Sequence, residues 1–360
     1  MSPSIGGRVT DMNFNDIRLS LIGYDLLGEG RDGIRYAWKV CNYDELLESA
    51  AFIYKTKNLK GNVSGYTTSV SLGCVLRQMG CACRFCRTGM LTPYRLHLTS
   101  EEIALQNILM VLTDMDCKTH PELATMEREF AYMGQGEPGY SYPQVRKAIQ
   151  ITDYVMKKLG QKTYRHIFST SGINESMEAF ADDLERGKFD SRVTLHFSLH
   201  SLINRNVIMP IEKVYSYERL IPLMERISRA EGEKISLGYM LFNDFKPKNR
   251  KDVISTRIED VSKFCHIFNP EYFRFSLCEF NNSKELGEAA NYSSDEAYEL
   301  LEQLKSKGYE AKLFYSYGKE KNTACGMLAG KKPDTPISEK WKRLEKEAIK
   351  LLKEYDKKDE

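Results

Sequence analysis

From Thr99 onward the chain alternates two rhythms of apolar and polar residues. Short runs rich in β-branched and aromatic residues read as strands: EFAYMG, YRHIFSTSG, VTLHFSLH, ISLGYMLF, YFRFSLCEF and EAKLFYSYG. Between them SEEIALQNILMVL, PQVRKAIQITDYVMKKL, ESMEAFADDLERG, YERLIPLMERISRAEG, IEDVSKFCHIF and DEAYELLEQLKSKG return apolar residues at helical spacing, with Thr99 or Ser100 placed to cap the first. Strands alternating with helices predict right-handed βαβ units: an α/β fold whose parallel sheet forms a partial or closed (β/α) barrel. Ligands in such sheets sit at the carboxyl ends of the strands. The stretch before Thr99 reads as β, with GIRYAWKV after the turn Arg31-Asp32-Gly33, then AAFIYKTK and GYTTSVSL. The tail TPISEKWKRLEKEAIKLLKEY puts Trp341, Leu344, Ala348, Leu351 and Tyr355 on one helical face, with Pro336 suited to the first turn. Its mixed charges predict a docking helix over an RNA-binding arm. The expected organisation is a short β-rich region (1–70), a barrel (71–332) and a C-terminal helix (333–360), with no internal repeat or low-complexity linker.

Composition adds exclusions. With 360 residues, 42% hydrophobic and 28% charged, the chain has ample material for a core. Lys and Arg number 52 against 50 Asp and Glu, so net charge names no partner, although a local basic groove fits inside that sum. No run approaches the roughly 20 apolar residues of a membrane span, and the polar start MSPSIGGRVTDMN lacks a secretory signal, so a cytoplasmic location is expected. Nine cysteines, an odd number, argue against a disulfide framework and for metal or chemistry.

Two motifs compete for attention. Gly28-Glu29-Gly30-Arg31-Asp32-Gly33 matches GxGxxG, but a strand rather than a helix follows it, so it reads as a turn and not as a dinucleotide site. Cys74-VLRQMG-Cys81-A-Cys83-RF-Cys86 carries more. Thiolates suit zinc or iron–sulfur clusters, and three on one loop leave one iron of a four-iron cluster open to a ligand. A structural zinc site using all four cysteines is the plain alternative, though these spacings fit paired knuckles poorly. Cys41, Cys117, Cys265 and Cys278 stand alone and read as small buried apolar residues. His97, His120, His166 and His266 read as surface or structural, while His196, two residues before Ser198, faces the same side of its strand.

Further motifs shift the balance. Met133-Gly134-Gln135-Gly136-Glu137-Pro138 closes a strand with glycines and a carboxylate able to accept hydrogen bonds from an ammonium group. With Phe85 immediately before Cys86, it resembles the radical S-adenosylmethionine (SAM) superfamily. Ser169-Thr170-Ser171-Gly172, Phe197-Ser198-Leu199-His200 and Ala324-Cys325-Gly326-Met327-Leu328-Ala329-Gly330 follow in the order of the RlmN and Cfr family of radical SAM RNA adenine C-methyltransferases. The resemblance runs from about Asp32 to Gly330.

That resemblance implies a 4Fe–4S cluster on Cys81, Cys83 and Cys86, beside Phe85. It implies a SAM pocket from Gly136, Glu137, Ser169, Ser198, Leu199 and His200, with Asn282 or its neighbour Asn281 added. It makes Cys325 the methyl-carrying cysteine, Cys74 its thiol partner and Glu48 an aid to proton transfer, although a strand-end Glu in water fits Glu48 equally. Two departures stand out. The family spaces its ligands CxxxCxxC whereas a single residue separates Cys81 from Cys83, so Cys74 competes with Cys81 as a ligand. The cysteine loop also comes too early for most of the family's N-terminal helical domain. The implied function is methylation of an sp² carbon, at C2 or C8 of an RNA adenine, with an electron donor such as flavodoxin or ferredoxin. A peptide or small molecule as substrate is the enzymatic rival, and a zinc-stabilised RNA-binding module without catalysis the non-enzymatic one.

Overall fold

The computed structural model describes residues 17–27, 33–55, 62–314 and 326–356. Its strands are β1 (Leu19–Leu27), β2 (Gly33–Val40), β3 (Leu46–Lys55), β4 (Asn62–Thr67), β5 (Ser71–Leu72), β6 (Leu96–His97), β7 (Glu127–Tyr132), β8 (Thr163–Thr170), β9 (Val193–Ser198), β10 (Ile235–Leu241), β11 (Asn243–Pro247), β12 (Phe273–Glu279), β13 (Gly287–Ala290), β14 (Glu310–Phe314) and β15 (Thr335–Pro336). The α-helices are α1 (Val75–Gln78), α2 (Arg87–Leu91), α3 (Ser100–Met115), α4 (Tyr142–Lys158), α5 (Asn174–Glu185), α6 (Arg205–Ile208), α7 (Tyr217–Glu231), α8 (Asp260–Ile267), α9 (Ser294–Ser306) and α10 (Glu339–Asp356).

One 11-stranded sheet runs in the order β14-β12-β10-β9-β8-β7-β4-β3-β2-β1-β15. From β4 to β14 every neighbouring pair is parallel, as expected of strands separated by helices. From β4 to β15 pairing is antiparallel, so the N-terminal strands extend the barrel sheet itself. The sheet has two ends and is an open barrel among the described residues. Period-two alternation sorts the side chains: Phe168, Phe197, Leu237 and Phe275 join the main core on one face. Ser198, Gly238 and Ser276, in register across β9, β10 and β12, fall on the opposite face, where small side chains leave room at the upper lumen.

Helix α3 begins as the sequence predicts: Thr99 accepts from the Glu102 amide while Glu102 reaches back to the Thr99 amide. It is buried around most of its circumference because α10 lies over it. Trp341 stacks on Tyr24 at 4.5 Å between centroids, and Glu345 accepts from the Leu21 amide at 2.7 Å, so the tail docks as its apolar face implied. His166 is structural, held between Asp153 (3.1 Å) and Tyr132 (3.0 Å).

Several expectations need correcting. Pro336 does not open a helix; it pairs with Gly23 in an edge strand, and α10 starts at Glu339. Strand β1 has no clear signal in the sequence because Gly23 and a register shift between Leu21 and Gly23 interrupt its alternation. Cys41 and Cys265 are exposed, at a strand end and on an outer helix surface, rather than buried. Of the GxGxxG run only Gly33 lies within the described residues, opening β2.

Because Trp341 is only 7% exposed, Trp341→Ala should lower unfolding stability in urea by roughly 3–5 kcal/mol, the cost of emptying a large aromatic site.

Candidate active site

The site forms where the parallel strands stop and their last polar groups need partners. After β7, Gly134 and Gly136 pass so close to the link after β4 that a Cβ on either would lie 2.5 Å from Ser69 Oγ or 2.3 Å from Ser71 Oγ. Gly136 adopts φ 107°, so it is needed on both counts. Glu137 follows, and its carboxylate is saturated by the protein. Oε1 accepts from the Gly139 amide (2.9 Å) and Thr170 Oγ1 (2.5 Å); Oε2 accepts from the Ser171 amide (3.0 Å) and Ser171 Oγ (2.7 Å). Glu137 thereby ties the end of β7 to the end of β8.

Arg205 does the same for β8 and β9. Only 1% exposed, it donates from Nη2 to the carbonyls of Ser171 (2.7 Å) and Ser198 (3.0 Å), and Nη1 pairs with Glu212. The short helix it opens carries this rigidity to the cysteine loop, where Arg84 bonds the Ile208 carbonyl through its amide (2.8 Å) and the Val207 carbonyl through Nε (2.7 Å). His200 sits in left-handed backbone conformation (φ 57°), its ring centroid 4.8 Å from that of Phe85 and its buried Nδ1 without a hydrogen-bond partner. Burial, reinforced by the Arg205 charge, pushes its pKa down to about 3, so it is a neutral imidazole at physiological pH.

Cys74, Phe85, Ile208, Met240, Phe242 and Phe245 form a second apolar cluster, against which Cys81, Cys83 and Cys86 pack partly buried. Burial raises the pKa of all four thiols. Cys83 also feels Cys86, Cys74 and Glu137, and Cys74 feels Cys86, so these three thiols are gathered, while Cys81 lies toward Lys213. No three His, Cys, Asp or Glu side chains among the described residues converge to hold one metal ion.

Ser169 shares the lumen row of His196 and is partly buried. Ser198 stands at the same rim, whereas the Leu199 side chain is fully buried in the main core, leaving its backbone for any ligand. Asn282 is exposed and the adjoining Asn281 buried, so the chain beyond β12 turns the earlier residue inward. Cys325 lies outside the described residues. The residues just after it meet the cysteine loop: the Arg87 amide donates to the Gly326 carbonyl (2.7 Å) and Thr88 Oγ1 to the Leu328 carbonyl (2.5 Å).

Glu48 is fully buried and its partners are structural rather than aqueous. Oε1 pairs with Arg35; Oε2 accepts from the amides of Ala329 (2.9 Å) and Gly330 (2.7 Å). Arg35, paired also with Asp25, donates to the carbonyls of Lys331 (2.8 Å) and Lys332 (3.1 Å), and Asp25 accepts from the Asp334 amide (2.6 Å). Three charged side chains thus fix the segment that returns from the site. Sequence reasoning missed Arg35, Asp25 and Arg205, since none lies in a local motif.

The fold is shared with a solved structure: that of a radical SAM methyltransferase from Sphaerobacter thermophilus superposes with a TM-score of 0.68, covering 87% of this chain and 82% of that one at 18% identity. In sequence the chain is similar to proteins named probable dual-specificity RNA methyltransferase RlmN. That of Heliobacterium modesticaldum is 26% identical over 306 residues, 83% of this chain and 71% of the relative. The protein from Petrotoga mobilis is 29% identical over 279 residues (76% and 72%), and that from Flavobacterium psychrophilum 28% over 268 (74% and 71%). No family model matches the chain. No helix among the described residues is long and apolar enough to cross a membrane.

Removing Glu48 leaves Arg35 with one buried counter-ion and frees two amides. Glu48→Ala should cost about 3–5 kcal/mol of stability and speed hydrogen exchange at Ala329 and Gly330, with Glu48→Gln, which keeps one acceptor, milder in both.

Proposed function

We propose that this chain is a cytoplasmic radical SAM C-methyltransferase that methylates an adenine carbon in RNA by way of a methyl-cysteine. The carrying observation is that the segment beginning right after Cys325 is hydrogen-bonded to the cysteine loop, at the mouth of an open parallel barrel, in a chain similar over 83% of its length to a protein named probable dual-specificity RNA methyltransferase. The thiols suit a 4Fe–4S cluster. They are buried enough to resist ionisation alone, so they become thiolates when iron supplies the opposing charge. A cluster would take each thiolate on a different iron.

Cys81, Cys83 and Cys86 would hold the cluster, and SAM would lie beside Phe85 over Gly136, Glu137, Ser169, Ser198, Leu199, His200 and the inward-facing Asn281. When bound, the cluster delivers one electron, from a flavodoxin- or ferredoxin-like donor, for reductive cleavage of SAM. The protein residues do the rest. Glu137, already holding four donors, fixes the strand ends rather than acting as a free acceptor. Neutral His200 presents Nδ1 as an acceptor or, in its other tautomer, a donor without bringing a charge. Cys325 carries the methyl carbon to the base. After one hydrogen of that methyl group has been abstracted and its carbon has joined the ring, the ring carbon gives up its hydrogen as a proton and one electron returns to the electron-transfer partner. The Cys74 thiol then loses its proton and bonds to the Cys325 sulfur as the carbon–sulfur bond breaks, and that bond's electron pair stays on the carbon, which takes up a proton to complete the new methyl group. The Glu48 carboxylate holds the returning segment in place for this exchange.

Single alanine variants separate the roles. Cys83→Ala and Cys86→Ala should each lose iron. The pair Cys74→Ala and Cys81→Ala decides the third ligand: iron lost from Cys81→Ala and kept in Cys74→Ala supports the assignment, and the reverse overturns it. With iron retained, Cys74→Ala should accumulate a covalent adduct in intact-protein mass spectrometry that nuclease digestion trims to a nucleotide. Normal turnover without adduct would refute the two-cysteine mechanism, and an adduct resistant to nuclease would refute RNA as substrate.

A further inference from the structure

Beside the cysteine loop stands a hairpin that the reaction above leaves unused. Phe245 and Ile254 pair across it, each amide 2.9 Å from the other's carbonyl, and both side chains are buried in the apolar cluster that contains Cys74 and Phe85. At its tip the Arg250 amide closes a turn on the Pro247 carbonyl at 3.0 Å, with Asn249 left-handed at φ 61°. Its other edge is clamped as well: the Lys248 amide donates to the Leu286 carbonyl at 2.8 Å, and β13 runs alongside β11. The hairpin is rigid and shares its floor with the cysteine loop.

Everything basic on it faces water. Lys246, Lys248, Arg250 and Lys251 are all exposed, and none forms an ion pair with a described carboxylate. Arg84, between Cys83 and Cys86, lies near both Arg250 and Asp252, and Arg87 reaches the same side, where Glu285 stands at 3.8 Å; with Asp244 these three carboxylates offset only part of the six basic side chains. Cations held together on a rigid exposed element repel one another, and a chain of phosphates relieves that repulsion. The charge is therefore placed for a polyanion passing the mouth of the barrel.

We propose that the hairpin tip Lys246–Lys251 is the surface that grips the RNA backbone and leads the strand past the cysteine loop. This rests on the reading of the substrate as RNA. Such contacts position the nucleic acid without reading its bases, so they serve any sequence whose adenine can enter the site.

The test uses the full chain, a fluorescein-labelled RNA stem-loop and anisotropy titrations from about 0.05 to about 0.3 M KCl. Each phosphate contact contributes roughly 0.7–0.9 to the slope of log affinity against log salt. The triple variant Lys248→Glu/Arg250→Glu/Lys251→Glu should bind at least about tenfold more weakly at 0.1 M salt, with a slope smaller by about 2, while its thermal midpoint and iron content match wild type. A control reversing Lys342, Lys346 and Lys350 on the exposed face of α10 should keep the wild-type slope. RNA binding by wild type and triple variant alike, or equal losses in triple variant and control, overturns the hairpin's role alone. No RNA binding by wild type overturns the RNA reading and the hairpin with it.

Discussion

A parallel sheet satisfies its backbone only as far as the strands run, and the buried polar groups released at their carboxyl ends must be paired inside the protein. That constraint shapes the whole upper face of this barrel. Glu137 collects four donors from the turns after β7 and β8, and Arg205 collects two carbonyls from those after β8 and β9. Both side chains are buried, so each depends on the groups gathered around it: Glu137 on its amide and hydroxyl donors, Arg205 on Glu212 and the two carbonyls. Loops that would otherwise fray are thereby held at fixed positions before any ligand arrives, the preorganisation on which positioning a reactive group depends.

The cysteine loop inherits this rigidity at one remove. It has little regular structure, yet its Arg84 is pinned to the turn of helix that Arg205 begins, and Arg87 and Thr88 are pinned to the segment starting at Gly326. Two distant stretches of chain are thus clamped to the same short loop. Beneath it the apolar cluster of Phe85, Phe242 and Phe245 lowers the local dielectric, which disfavours free thiolates.

Elements with strong local signals were legible in the sequence. The alternation of strands and helices predicted a parallel barrel, partial or closed, the cap candidates Thr99 and Ser100 marked the start of α3, and the apolar face of the tail marked α10. Glycines at 134 and 136 marked the site because only a backbone pressed against its neighbour requires them. What stayed hidden depends on residues far apart in the chain. Glu48 looked like an acid at a strand end until Arg35 and the amides of Ala329 and Gly330 closed around it. That Asn281 is buried and Asn282 exposed follows from the path of the chain after β12, where period-two counting stops. The charged hairpin escaped because FKPKNRK, read locally, is merely a polar loop; only Phe245 and Ile254, buried beside Cys74, reveal where it stands.

The buried charge network around Arg35 also has a consequence for the order in which the molecule assembles. Asp25 bonds the Asp334 amide, 309 positions later, and β15 adds to the sheet beside β1. Closing so long a loop is entropically costly and is repaid only by contacts made at its ends. A nascent chain can pair β1 with β2 and build the parallel strands in turn, yet Asp25 and Glu48 keep unfilled acceptor positions, and Arg35 unfilled donors, until the final stretch arrives. The contacts of residues 329–334 with this network are therefore the last of it to form, and Arg35 is fully hydrogen-bonded only once that stretch has been made.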